Sequence, residues 1–579
     1  EAFTRCLGLA DDSSNPEWLA TSRFHLGHIH NERGDHSRAR RLFESHEADS
    51  AFGGRFRTRL TSLIFLGVSY AREGDHVRAL EQFSRADALC SEYSPSDVVA
   101  RLCIEQGRSL VATGQWRQAQ LTLLRALRLL RLEEDLAGIS ELRAFNENAL
   151  RDVTEAIVGL YVDQPSLLAG RNLSRHTLLL AEENRYGIRS AHPAETAPGD
   201  VLATVLTHRT DPLIAYFIGQ NRSFIWVATE GDLQLHPLPG RSELRRLLRP
   251  VLADMSSPGQ PVTHSAVVEL SRIILGPLVG VWLEGVELHI VPDDVLFAVP
   301  WSALRYPART DSDGDNLASG EEEAPIAPVK DWTALVLEHG PIVEQPTLVS
   351  FARTQPVSTE KDRQSWSLLA LGVNGEATTT APGDGTTASG ETTAQATLHF
   401  AEEEARQVAA LWPSDKVTLR TGADAAWAKV SQLGIEQFDV LHIASHAVVH
   451  QGLPTRASLR LAGGDESPLT IAAVGELNLN AELIYLSCCE ASMRHSSGAA
   501  LLDFARAFVG AGARSVVAST QRVDDEASHF LAERFYTHWL GGLSKAAALR
   551  AAQRDVREAK ELWQHPYFWA FYRVIGEGA

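Results

Sequence analysis

A histidine and a cysteine each lie at the end of an apolar segment in the last third of the chain, 43 residues apart. His446 lies near the end of "FDVLHIASHA" (438–447), and Cys489 closes "ELIYLSCC" (482–489). An imidazole beside a thiol can accept its proton, and the thiolate is the nucleophilic form. Backbone N–H groups at the same place can hold the oxyanion of a tetrahedral intermediate. The pair therefore indicates acyl transfer through a cysteine, and the alternative is that both residues are structural.

A metal site is the second chemistry that these residue types allow. His442 and His446 are four residues apart, and Cys488 directly precedes Cys489. On a strand, positions i and i+4 lie about 13 Å apart, which is too far for both to bind one zinc ion. Adjacent cysteines on a strand point to opposite faces. We therefore predict no metal or other cofactor, and we expect His442 to be buried and hydrogen-bonded and Cys488 to pack in the core.

The segments that carry these residues alternate between apolar strands and helices from about residue 400 onward. Near-continuous apolar strands between helices are typical of a parallel sheet that is covered by helices on both faces. Functional residues of such sheets lie just beyond the carboxyl ends of the strands. The predicted order is helix 401–412, strand 438–447, strand 482–489, helix 499–512, strand 514–520 and helix 525–540.

The first third of the chain contains an internal repeat of 40 residues, in segments 24–43, 64–83 and 104–123. Each unit is predicted to be a helix, a turn with a left-handed glycine at the helix end, and a second helix that approaches closely at a small alanine. This pattern resembles a tetratricopeptide repeat and predicts a helical solenoid over residues 1–190. The recurring residues are Gly27, Gly67 and Gly107, then Gly34, Gly74 and Gly114, then Ala39, Ala79 and Ala119.

Composition excludes some classes of function. The 579-residue chain has a formal net charge of −19, which argues against nucleic acid as the main partner. Five cysteines, an odd number and widely spread, predict no disulfide framework and a reducing, cytoplasmic location. No apolar stretch reaches transmembrane length and no signal peptide opens the chain. Because the first residue is Glu1, we expect a fragment or a processed product.

A second domain is predicted over residues 195–579. Its N-terminal half (195–350) contains short strands with polar turns. Its catalytic half (365–579) has the alternating pattern described above. Two polar stretches, 307–330 and 375–397, are predicted to be mobile loops because neither can bury a core. The expected fold class is therefore multidomain: an all-α solenoid followed by an α/β domain with a mostly parallel sheet.

The segments "VLHIASHA" (440–447) and "IYLSCCEAS" (484–492) resemble the histidine and cysteine motifs of the CHAT-domain proteases. These are caspase-like, clan CD cysteine proteases that occur joined to tetratricopeptide repeats. The resemblance continues in "VPDDVLFAVPWSAL" (291–304), "FARAFVGAGARSVVASTQRVDDEAS" (504–528) and "HPYFWAFYRVIGEG" (565–578).

The resemblance implies a role for each matching residue. Cys489 would be the nucleophile, His446 the base, and the backbone N–H groups of Ala447 and Cys489 the oxyanion hole. Ala447 departs from the glycine of the family, which is tolerable only if its φ is negative. Thr520-Gln521 departs from Leu-Trp and is expected to reshape a substrate-pocket wall.

Acidic residues near the site have two interpretations. The resemblance implies that Asp524 or Asp525 binds an arginine or lysine of the substrate, whereas helix propensity predicts an N-cap at this place. The three glutamates at 402–404 predict a solvated helix N-terminus.

These observations predict a cysteine endopeptidase that cleaves a protein substrate and is regulated by a protein or nucleoprotein partner that docks on the repeats. The resemblance implies regulated proteolysis in bacterial defence or programmed cell death. Direct nucleic-acid binding and membrane association are not expected. The alternative is a catalytically inactive adaptor, in which the repeats bind a partner and the caspase-like domain only packs.

Overall fold

A computed structural model describes two compact units, Glu1–Ala197 and Pro198–Ala579. The described residues are 16–51, 56–91, 94–134, 140–184, 202–203, 206, 211–307, 332–353, 363–376, 397–398, 400–448, 458–462, 468–490 and 499–578.

The first unit is helical throughout its described residues, and each helix packs on the next one along the chain. This confirms the predicted solenoid-like repeats. The helices are α1 (Pro16–Glu32), α2 (His36–Ala51), α3 (Phe56–Arg72), α4 (His76–Leu89), α5 (Ser96–Ala112), α6 (Trp116–Glu134), α7 (Ser140–Asp163) and α8 (Leu173–Glu183).

The 40-residue period follows from two glycines and one alanine in each helix pair. The turn glycine has a positive φ in all three repeats, +85° at Gly74 for example, which a side chain would strain. The helix glycine contacts its partner helix so closely that a Cβ on Gly67 would lie 2.5 Å from the ring of Phe83. Ala79 is fully buried on that partner helix. Two helices can approach this closely only where these small residues recur.

The second unit contains one large sheet and two short strand pairs. Its strands are β1 (Leu213–Phe217), β2 (Arg222–Thr229), β3 (Asp232–Pro239), β4 (Leu288–Val291), β5 (Arg305–Tyr306), β6 (Ala334–Leu335), β7 (Ile342–Glu344), β8 (Leu368–Gly372), β9 (Gly375–Glu376), β10 (Thr397–Leu398), β11 (Val417–Thr421), β12 (Val440–Val448), β13 (Ser458–Arg460), β14 (Leu469–Thr470), β15 (Leu483–Glu490), β16 (Ser515–Ser519) and β17 (Tyr572–Gly576).

Helices connect and cover these strands. They are α9 (Arg241–Met255), α10 (His264–Leu275), α11 (Val336–His339), α12 (Leu348–Arg353), α13 (Ala401–Ala410), α14 (Trp427–Val430), α15 (Ile471–Gly475), α16 (Ala499–Gly510), α17 (Asp525–Leu540) and α18 (Lys545–Ala559).

The large sheet has the order β11-β8-β12-β15-β16-β17-β7-β4-β1-β2-β3. Strands β11, β8, β12, β15 and β16 are mutually parallel, and so are β17, β7, β4 and β1. Because β17 is antiparallel to β16, the two parallel groups run in opposite directions. The carboxyl ends of β12 and β15 therefore lie together at one end of the sheet along the strand direction, and the carboxyl ends of β4 and β7 lie at the opposite end.

Both faces of the central strands are buried, which requires a covering layer on each side. Leu441 and Ile443 alternate on β12 with Val440 and His442, and all four are almost inaccessible to solvent. The predicted α/β fold with a mostly parallel sheet is therefore confirmed. Most of the two predicted loops lies outside the described residues, but the ends of the second, at 375–376 and 397–398, pair as β9 and β10.

Candidate active site

Strands β12 and β15 are adjacent and parallel, with a register that runs from Val440 opposite Leu483 to Ala447 opposite Glu490. Within this register His446 is the partner of Cys489. Neighbouring strands lie about 4.8 Å apart, so the two predicted catalytic residues hold adjacent positions. Both lie at the carboxyl ends of their strands, where parallel sheets carry functional residues.

The other edge of β12 changes partner at this point. β8 pairs with β12 only as far as Ala444. From His446 onward the antiparallel strand β13 takes over, with Arg460 opposite His446 and Leu459 opposite Ala447. The end of β12 is therefore held between β15 and β13.

This pairing explains how the chain accommodates Ala447. The residue lies within β12 and pairs on both sides, so its backbone is extended and its φ is negative. Alanine adopts this conformation without strain, and the departure from glycine is therefore compatible with the local structure. The contribution of Ala447 to an oxyanion hole stays a prediction.

The first of the two adjacent cysteines is a core residue. Cys488 is 3% exposed, and its thiol donates to the carbonyl of Ile443 at 3.6 Å. It is a packed core residue, as predicted from strand alternation. In the helical unit, burial raises the pKa of the Cys103 thiol to about 11. A buried thiol of this kind is unreactive at neutral pH.

His442 is completely buried and lies on β12, four residues before His446. Its Nδ1 lies 3.3 Å from the hydroxyl of Tyr536, and its Nε2 lies 3.2 Å from Oε1 of Glu404. Its ring stacks on that of Tyr485, its register partner, with centroids 5.3 Å apart. The prediction of a buried, hydrogen-bonded histidine is confirmed.

The prediction for the glutamates at 402–404 was wrong at one position. Glu404 is 3% exposed, because α13 packs against β8 and β12 and turns this side chain inward to His442. Burial raises the pKa of the Tyr485 and Tyr536 hydroxyls well above the ordinary value, and the charge of Glu404 adds to the shift of each. Of the two phenols, Tyr536 contacts His442 through its hydroxyl and Tyr485 through its ring.

The helix-cap interpretation holds for Asp524. Its carboxylate accepts from the backbone N–H of Ala527 at 3.0 Å and caps α17. The carboxylate of Asp525 accepts from the backbone N–H of Phe400 at 3.2 Å, which ties α17 to the start of α13. Binding of a basic substrate side chain by either residue stays a prediction.

The residues that follow β16 are tied to both halves of the sheet. Thr520 is buried and accepts from Nη2 of Arg573 at 3.2 Å. Gln521 accepts from the hydroxyl of Ser256 at 2.7 Å, just after α9. Thr520 and Gln521, which depart from the family pattern, are thus both held by hydrogen bonds to other parts of the α/β unit.

Within the part of the chain that the structure describes, no group of three or more His, Cys, Asp or Glu side chains is arranged to hold a metal ion. His442 directs its two ring nitrogens to Tyr536 and Glu404 instead. The helices within the described ranges include none that is long and apolar enough to cross a bilayer.

Two residues near the site were not found from the sequence. Glu404 is the third of three adjacent glutamates, and only the apolar spacing of Ala401, Ala405 and Val408 marks the buried face to which it also belongs. Arg460 lies on a strand of three residues, which is too short to give a periodic signal.

Comparison with solved structures gives distant similarities. The separase–securin complex of Saccharomyces cerevisiae is 10% identical with a TM-score of 0.47, over 99% of this chain and 48% of that chain. The Arg-specific cysteine proteinase gingipain R of Porphyromonas gingivalis is 11% identical with a TM-score of 0.32, over 56% of this chain and 69% of that chain.

Among curated proteins, Tetratricopeptide repeat protein 28 of Homo sapiens is 34% identical over 108 residues. The matched region is 19% of this chain and 4% of that protein, so the chain spans only a small part of this relative. The mouse protein of the same name matches over an equal length at 32% identity.

The CHAT domain profile matches residues 264–577, which include β4, both strands of the candidate site and the closing strand β17. This match covers more than half of the chain. The helical repeats before it agree with the tetratricopeptide relatives. The chain therefore belongs to the CHAT-domain family, with tetratricopeptide-like repeats preceding the CHAT domain.

Proposed function

We propose that this protein is a cytoplasmic cysteine endopeptidase in which Cys489 is the nucleophile and His446 is the general acid and base. The observation that supports the proposal most is the register of β12 and β15, which makes these residues partners at the strand ends. Residues paired across a parallel ladder share one face of the sheet. Positions 446 and 489 are therefore adjacent on one face of the sheet, and such proximity is the first requirement of a thiol–imidazole pair.

The proposed reaction is acyl transfer in two steps. The Cys489 thiolate attacks the peptide carbonyl, and the N–H groups of Ala447 and Cys489 stabilise the oxyanion. The C–N bond breaks as His446 donates its proton to the leaving amine, which leaves a thioester on Cys489. His446 then takes a proton from water, whose oxygen attacks the thioester. The C–S bond breaks, the acid product leaves, and His446 returns its proton to the sulfur of Cys489, which restores the starting pair.

We assign the helical repeats to regulation. Repeat solenoids present an extended surface to a protein or nucleoprotein partner, and docking of such a partner would switch the peptidase on. Defence or programmed cell death in bacteria is the setting that the family resemblance favours. The competing function is an inactive adaptor, for which the Cys489 thiol has no role.

The test compares wild type with Cys489→Ala, and Cys488→Ala is the matched control. New protein N-termini are identified by mass spectrometry after incubation with a cell extract that contains candidate partners. We expect new termini for wild type and Cys488→Ala and none for Cys489→Ala. Identical termini from wild type and Cys489→Ala would overturn the proposal.

A second measurement does not depend on knowing the substrate. Iodoacetamide should label Cys489 faster than Cys488, and His446→Ala should slow the labelling of Cys489. Equally slow labelling of both cysteines would favour the adaptor.

A further inference from the structure

Arg460 lies beside the candidate site on the opposite side from Cys489. β15 pairs with one edge of β12 as far as Ala447, so β13 must use the other edge when it pairs Arg460 with His446. Cross-strand partners share a face of the sheet. Positions 460, 446 and 489 therefore form a row across three strands, with about 4.8 Å between neighbours.

The backbone that carries Arg460 is fixed in place. The hydroxyl of Ser445, on β12, donates a hydrogen bond to the carbonyl of Arg460. The neighbouring Leu459 is fully buried, and it pairs with Leu469 of β14 as well as with Ala447. Arg460 itself is half-buried. The strand therefore fixes the point from which the Arg460 side chain extends, and the planar geometry of a guanidinium suits a carboxylate.

The order of the row gives Arg460 a place relative to the substrate. In the proposed reaction, the scissile carbonyl lies over Cys489 and the leaving amine must lie within reach of His446. The next position in the same direction is Arg460. This side of the row corresponds to the residues that follow the scissile bond.

We propose that Arg460 is a specificity-determining residue that binds an acidic side chain on the leaving-group side of the scissile bond. This inference rests on the proposed peptidase function. It assigns a substrate class, peptides with Asp or Glu at the first or second position after the cleaved bond. It is independent of whether Asp524 or Asp525 binds a basic residue before that bond.

The experiment uses the full chain in the cell extract that contains candidate partners, with Cys489→Ala in the same extract as the background, and a quenched fluorescent peptide library in which the residues on each side of the scissile bond vary one at a time. Wild type should cleave peptides with an acidic residue after the bond about tenfold better than those with alanine, the gain from one charge-assisted hydrogen bond. Arg460→Gln should lose this preference, Arg460→Lys should keep part of it, and Arg460→Glu should favour a basic residue there. Arg420→Gln is the control, since Arg420 is also a half-buried arginine near a strand end, on β11.

A labelling ratio tests the same point and also reports on folding. Arg460 should favour iodoacetate over the neutral iodoacetamide at Cys489, and the ratio of the two rates should fall severalfold in Arg460→Gln, while the iodoacetamide rate itself confirms a folded site. Cleavage without any charge preference, or with a preference only before the bond, would overturn this inference and leave the peptidase standing. No cleavage, together with slow labelling of Cys489, would overturn both.

Discussion

Nε2 of His442 lies 3.2 Å from Oε1 of Glu404, and this buried contact joins the strand of the candidate histidine to helix α13. The imidazole also reaches Tyr536 on α17. Two helices are therefore linked to β12 through one side chain, four residues before His446. Polar groups buried this completely are costly to leave unpaired.

Substitution of either partner should therefore destabilise the α/β unit. We expect His442→Phe, which leaves Glu404 without its partner, to cost about 3–5 kcal/mol, and Glu404→Gln to cost about 1–3 kcal/mol. Glu403→Gln, at a half-exposed neighbouring position, is the control and should change little. Urea unfolding measures these differences. A cost for His442→Phe no greater than that of Glu403→Gln would contradict the prediction.

Asp524 allows the cap and the substrate roles to be separated. Asp524→Ala should lose about 1 kcal/mol of stability because the cap on Ala527 is lost. Asp524→Ser keeps a capping oxygen without the charge and should be nearly as stable as wild type. If Asp524 binds a basic substrate residue, both variants lose cleavage after arginine. If both variants and Asp525→Asn cleave such peptides as wild type does, neither aspartate belongs to the pocket.

The ion pair between Arg573 and Glu344 joins β17 to β7, and both side chains are only 4% exposed. Trp301 donates to Glu344 at 2.8 Å, and Arg573 donates to the carbonyl of Val299 at 2.8 Å. Burial raises the pKa of Glu344 even beside Arg573.

Removal of one partner of this ion pair should lower the free energy of unfolding far more than removal of both partners. Glu344→Met or Arg573→Met leaves a buried polar group unpaired and should cost about 3–5 kcal/mol. The double variant Glu344→Met/Arg573→Met should recover most of that loss. Denaturant unfolding of the four proteins forms a double-mutant cycle. Strictly additive costs would contradict the prediction.

Asp555 should give the stability of the α17–α18 pair a dependence on pH. Burial alone would raise the pKa of Asp555, but hydrogen bonds from His538 and Arg534 hold it below the ordinary value. A carboxyl group with a lowered pKa stabilises the folded state above its unfolded pKa of about 3.9, and that contribution disappears as the pH falls through the folded pKa.

We therefore expect Asp555→Asn to be less stable than wild type at pH 7 by about 0.5–1 kcal/mol, since the group is partly exposed and screened. The difference should persist down to about pH 5 and vanish near pH 2–3. Thermal unfolding at several pH values measures it. A difference that grows on acidification would show that the sign is wrong.

The close contact between Gly67 and Phe83 predicts the behaviour of the repeats. A methyl group at Gly67 would lie 2.5 Å from a fully buried ring, so Gly67→Ala should destabilise the helical unit by about 1–3 kcal/mol despite the better helix propensity of alanine. Gly67→Ala/Phe83→Leu should relieve the clash. Ser84→Ala, at an exposed position of α4, is the control. Equal melting temperatures for Gly67→Ala and wild type would contradict the prediction.

The sequence was sufficient to predict the elements that carry the candidate dyad, because apolar runs and helical spacing are local signals. The strand that ends at Cys489 and the helix that begins at Asp525 were predicted within a residue or two. Local signals do not specify partners. The burial of Glu404 depends on His442, which is 38 positions away in the sequence. The local sequence "AEEEARQ" contains no signal of that contact. The position of β17 between β16 and β7 likewise depends on pairings that only the folded chain defines.

The central position of β17 has a consequence for synthesis on the ribosome. Tyr572 is made 228 residues after Glu344 (572 less 344), so β7 waits for its partner for about 10–50 seconds at ordinary elongation rates. During that time one edge of β7 has no strand beside it, and an uncovered edge is where other chains add. Each newly made copy therefore depends on protection of β7 until β17 emerges, and the two parallel groups of strands can join into one sheet only after β17 has been made.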